Sequence, residues 1–114
     1  IVAHRNVTAV DVVGSIYQEI QPTAGGGNTS ILAPTITPAN SGLLLGIYAR
    51  IISSASMAGS TVSGMTRIVA AADSTINAVA IFTKTQNSTS TGDKTATVSG
   101  GVDGSDYGML MQIY

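Results

Sequence analysis

Asp103 and Asp106 stand close together in Gly101-Val102-Asp103-Gly104-Ser105-Asp106-Tyr107-Gly108, and Asp93 lies ahead of the preceding apolar segment. Carboxylates spaced like this on a loop, helped by backbone carbonyls, can hold Ca²⁺, which takes about six to eight oxygens. The run does not follow the EF-hand spacing, and Asp beside Gly is first of all a turn former. The preferred reading is therefore a turn with no metal or cofactor, and Asp103 and Asp106 are the fallback calcium ligands. His4, the one histidine, sits beside Arg5 with no cysteine or second histidine to complete an ordinary zinc site, and reads as a surface or interface residue. Gly25-Gly26-Gly27 leads into Asn28-Thr29-Ser30 rather than the Gly-Lys-Ser/Thr of a phosphate-cradling loop, and no Gly-x-Ser-x-Gly elbow occurs. Of the six acids only Asp106 has an adjacent aromatic, Tyr107, and the chain has no Trp, which disfavours both glycoside hydrolysis and sugar stacking. No catalytic or cofactor-binding residue is assigned, and the chain is expected not to be an enzyme.

The elements that would position any such groups are limited by length and charge. The 114 residues show no break in composition, so a single domain over 1–114 is expected. Charged residues make up 10% of the chain, against about 25% in an average domain. Arg5, Arg50, Arg67, Lys84 and Lys94 are scattered, so there is no cationic stripe for nucleic acid or for an anionic membrane. The absence of cysteine removes disulfides and thiol chemistry, and stability must come from packing or association. No apolar run approaches the roughly 20 residues that span a bilayer as a helix. Because the chain opens at Ile1, it is expected to be a processed product or a piece of a longer one.

Local pattern points to strands. Val7, Thr8, Val10, Val12 and Val13 are β-branched and suit a pleated surface over 5–13; Gly14-Ser15 punctuates, and a second strand follows over 16–20. A third is expected over 31–37, at an edge or a bulge because Pro34 lacks an N–H. The longest apolar run, 42–53, has apolar side chains at every odd position from Leu43 to Ile51 and is expected to be the central strand, with that odd face on the core. Further strands are expected over 65–72 and 75–84 around a turn at Asp73-Ser74. Over 94–99, Ala96 and Val98 point inward, and the last strand turns Tyr107, Met109, Met111 and Ile113 to the core. Segments 22–29, 53–64 and 85–93 are expected to be exposed polar loops. About eight antiparallel strands make a single all-β sandwich, jelly-roll-like in number. A domain so apolar and so weakly charged is expected to associate, burying Tyr48, Ile52, Leu110 and Tyr114 between subunits.

Pro38-Ala39-Asn40-Ser41-Gly42-Leu43-Leu44-Leu45, Ser63-Gly64-Met65-Thr66-Arg67-Ile68-Val69, Ala78-Val79-Ala80-Ile81-Phe82-Thr83-Lys84 and Thr95-Ala96-Thr97-Val98-Ser99-Gly100 together resemble small β-sandwich modules of tailed-bacteriophage virion proteins. The likeness spans about residues 30–114; Ser41-Gly42 stands where those modules carry Gly-Asp, and Met65 where they carry Trp. The resemblance implies a non-enzymatic virion component, and carries no catalytic residue. The expected function is a capsid decoration protein in cyclic homo-oligomers, trimers by preference, that contacts the major capsid protein or neighbouring virion subunits. The alternative is a receptor- or glycan-binding module of a tail or head fibre, with the polar loops as its contact surface.

Overall fold

The computed structural model describes residues 7–20, 29–52, 56–72, 77–98 and 104–114, with the backbone alone at Ile52. Among them are nine strands: β1 (Val10–Val13), β2 (Tyr17–Ile20), β3 (Ser30–Ala33), β4 (Gly42–Ile52), β5 (Thr61–Val62), β6 (Thr66–Ala72), β7 (Asn77–Gln86), β8 (Lys94–Thr97) and β9 (Gly104–Ile113). A six-stranded sheet runs β1-β9-β4-β7-β6, with β2 also on β9, and a three-stranded sheet runs β3-β8-β5. All pairings are antiparallel. β1 and β2 are two halves of one strand along β9, interrupted where the Gly14 N–H still reaches the Leu110 carbonyl at 2.8 Å. First and last strands lie side by side and the chain switches between sheets, the interleaving of a jelly-roll-like sandwich.

β4 is central, as its length and apolarity predict, and β3 is an edge strand that stops at the residue before Pro34. The ninth strand is β5, a two-residue pair with β8 inside a segment expected to be loop. That segment is not simply exposed: Met57, Ser60 and Val62 are buried, and Arg67 Nη1 donates to the Met57 and Ser60 carbonyls at 3.3 and 2.9 Å. The 85–93 segment also folds in at one end. β7 continues to Gln86, and the buried Thr91 hydroxyl accepts from the Ile36 N–H at 3.0 Å. The turn expected at Asp73-Ser74 and most of the 22–29 loop lie outside the described residues, as does His4.

The main correction concerns which face of the large sheet is inside. The core is built from Leu44, Tyr48, Ala78, Ala80, Phe82 and Leu110 of the six-stranded sheet against Ile31, Ala33, Ala96 and Val98 from the other layer. On β4, β7 and β9 it is the even positions that are buried, while Leu43, Leu45, Ile47, Val79, Ile81, Met109 and Met111 are only half-buried and point away from the second sheet. Clearance limits two of the inner positions. A Cβ on Gly108 would run into the Leu32 carbonyl, so the two layers approach too closely there for any side chain. Beside it, Gly46 leaves room for the Tyr48 ring, whose Cε2 would stand 2.9 Å from a Cβ at that position. Tyr48 and Phe82 fill the space beside these glycines, edge to face at a centroid distance of 5.7 Å and an angle of 85°.

Candidate interaction surface

The residues singled out from the sequence do not converge on a reactive centre. Asp106 lies directly opposite Arg50 across β4 and β9, and its two oxygens accept from Arg50 Nε at 2.8 Å and Nη2 at 3.0 Å. With Arg50 2% and Asp106 1% exposed, both carboxylate oxygens are committed to a buried, two-pronged ion pair, and Asp106 is not a calcium ligand. Asp103 lies outside the described residues. Asp93 accepts from the Thr35 N–H at 2.9 Å and ties the 85–93 segment to the chain after β3. Among the described residues no three His, Cys, Asp or Glu side chains gather to hold a metal.

The four expected subunit contacts are also redistributed. Tyr48 and Leu110 are fully buried within their own chain and are not available to a neighbour. Tyr48 lies under the second sheet, where its hydroxyl donates to the Lys94 carbonyl at 3.1 Å. Tyr114 is partly exposed beyond the end of β9, bonded through its backbone to Ala9. Ile52 ends β4 opposite Gly104, with its side chain outside the described residues.

Burial pushes the Tyr48 phenol well above its ordinary value, because the charged form loses its water. A raised folded-state pKa favours the neutral form in the fold, so this contribution is complete below the unfolded phenol pKa of about 10 and is lost as pH rises past it. Unfolding free energies measured by urea at about pH 9 and about pH 11 are expected to fall more steeply in the wild type than in Tyr48→Phe. Equal slopes would mean that the phenol is not shielded.

What the structure does assemble is the outer face of the six-stranded sheet. Its register lays Leu43 beside Ile113, Leu45 beside Met111, Ile47 beside Met109 and Ala49 beside Tyr107 across β4 and β9. On the other flank Ile47 lies beside Ile81 and Ala49 beside Val79 of β7, and these meet Val69 and Ala71 of β6. β1 adds Val10 and Val13, opposite Ile113 and Met111. Thr83 and Thr85 on β7, Ser105 on β9 and Gln18 on β2, bonded at 3.0 Å to the Tyr107 hydroxyl, supply polar positions towards the margins. No charged side chain occupies an outward register position on these strands among the described residues.

The surface has relief. Ala49 is small beside Ile47, Tyr107 and Met109, which leaves an apolar dimple of about 210 Å³ overhung by Ile16, itself 64% exposed. The sequence carried a signal for this second face that the odd-even reading passed over. β4 adds Leu44 and Ile52 on its even positions to an unbroken apolar run on its odd ones, and β7 offers Ala78, Ala80 and Phe82 as well as Val79 and Ile81. Strands apolar on both faces are strands covered on both faces, whereas a solvated antiparallel sheet alternates. Chemically, such a surface suits contact with other apolar surface. No family model matches the chain, and neither the curated proteins nor the solved structures contain a match.

Proposed function

We propose that the chain is a non-enzymatic structural subunit of a tailed-phage particle, a capsid decoration protein that acts as a homo-oligomer on the virion surface and reinforces the shell through contacts with the major capsid protein. The observation that carries this reading is the uncharged, apolar outer face of the six-stranded sheet, a surface suited to permanent contact with protein and too large to be left wet. The resemblance of the strand and turn motifs to virion sandwich modules supplies the particle. A cysteine-free sandwich held by packing, with a chain charge of only −1, fits a part that functions by assembly.

Copy number decides it. Quantitative mass spectrometry of purified particles from cells carrying the gene is expected to find the chain in hundreds of copies, comparable to the major capsid protein. A few copies or a few tens would replace this reading with the receptor- or glycan-binding fibre module. Absence from every particle would overturn both.

A further inference from the structure

We infer that the outer face of the six-stranded sheet is the interface of a two-fold symmetric dimer, with the same face of a second copy of this chain as its occupant. The inference rests on the reading of that face as an assembly surface, but not on the virion reading, since a dimer would form in solution without any particle.

Size comes first. β4, β7 and β9 have 11, 10 and 10 residues. At about 3.3 Å per residue and about 4.8 Å between strands, a patch five strands wide measures roughly 33 by 24 Å, or about 800 Å². That is about the area each partner contributes to a stable interface of standard size.

Composition follows the same pattern. The middle of the face carries Leu45, Ile47, Met109 and Met111, exposed Val10, Val13 and Ile16 extend the apolar area over the β1 flank, and Thr83, Thr85, Ser105 and Gln18 add hydroxyl and amide groups towards other margins.

Charge then selects the occupant. A face with no ionised group offers a basic or acidic partner no pairing and would strip such a partner's charges of water at a cost. Against its own copy it meets no like-charge repulsion, and apolar rows can interdigitate as two sheets packed about 10 Å apart. Symmetry sets the number. One face that meets itself closes at two copies, whereas a ring of three needs two different complementary surfaces on each subunit. Ile16 and Val13, 64% and 56% exposed at the β1 flank, are placed to gain cover from the facing copy, and the Ala49 dimple gives it a socket.

The test is sedimentation equilibrium on the purified chain. The wild type is expected to be a dimer at about 50 µM. Ile47→Lys, at the centre of the face and away from the core, is expected to raise the dimer dissociation constant at least about 100-fold, because it buries an unpaired ammonium twice. Thr97→Lys adds the same charge at an exposed position on β8 of the other sheet and is expected to remain a dimer. Val79→Ser is a milder change on the same face, to be used if Ile47→Lys loses its β-sheet circular dichroism; it is expected to weaken the dimer while retaining the fold. A wild type that is monomeric at that concentration, one that is trimeric or larger, or a dimer as sensitive to Thr97→Lys as to the face variants would overturn the inference. None of these outcomes depends on copy number in a particle.

Discussion

Asp106→Ala lowers the free energy of unfolding by about 3–5 kcal/mol, the cost of leaving one member of a buried ion pair without its partner. For a domain whose total stability is about 5–15 kcal/mol, this is enough to leave much of the population unfolded at physiological temperature. The expectation follows from position. Arg50 and Asp106 are buried on the inner face and joined by two hydrogen bonds, and the substitution takes this carboxylate away from a guanidinium that is 2% exposed. Replacing both, as Arg50→Met with Asp106→Leu, removes the charges along with their desolvation and is expected to recover most of the loss. Urea unfolding of the two singles and the double closes the cycle. If Asp106→Ala costs under about 1 kcal/mol, the pair is solvated and the burial described for it is wrong.

The pair also bears on register. On the outer face of β4 and β9 a slip of two residues would still set apolar side chains opposite one another. Such a slip would separate Arg50 from Asp106 within a buried layer, so the ion pair penalises the nearest competing alignment. This gives the polar pair a structural task in a layer whose apolar part is built from Leu, Tyr, Ala and Phe.

Much of this architecture is legible in the residues, for physical reasons that also explain the misreadings. β-branched and aromatic runs bounded by Gly, Pro and Asn mark the strands, because each such residue acts through its own backbone preferences. Pro34 at the end of an edge strand and the inward Ala96 and Val98 of β8 come from the same local logic. The burial of Met57 and Val62 does not, since in a Ser- and Gly-rich segment their neighbours give no periodicity and the clamp comes from Arg67. The odd positions of β4 carry the cleaner apolar run and yet face outward, while Tyr48 and Arg50 on the even face have their polar atoms satisfied inside the fold by the Lys94 carbonyl and Asp106, partners that no local pattern announces. Gly46 looks like a weak position in an apolar strand until the Tyr48 ring is seen to occupy its space. Arg50 and Asp106 stand 56 residues apart, and nothing local connects them. The adhesive face was present in the sequence as the excess of apolar residues over what one core needs, and only the register shows where the excess goes.

Gly108→Ala is expected to be nearly as damaging as the loss of Asp106, at about 3 kcal/mol, although it adds a single methyl. A methyl usually displaces the flexible end of a side chain, and relaxation keeps the cost small. Here the obstruction is the Leu32 carbonyl carbon and oxygen of β3. Relief requires β3 to move away from β9, and β3 is hydrogen-bonded along its length to β8 from Ser30 to Ala33, so the second sheet must shift with it. Two other glycines calibrate the effect. Gly46→Ala meets the Tyr48 ring at 2.9 Å, an aromatic edge that can tilt, and is expected to cost about 1 kcal/mol. Gly59→Ala meets nothing within 4 Å and is expected to stay within about 0.5 kcal/mol of the wild type. Urea midpoints at unchanged m-value should therefore rank Gly59→Ala highest, then Gly46→Ala, then Gly108→Ala. A Gly108→Ala midpoint equal to that of Gly59→Ala would mean that the layers stand farther apart than the Leu32 contact requires.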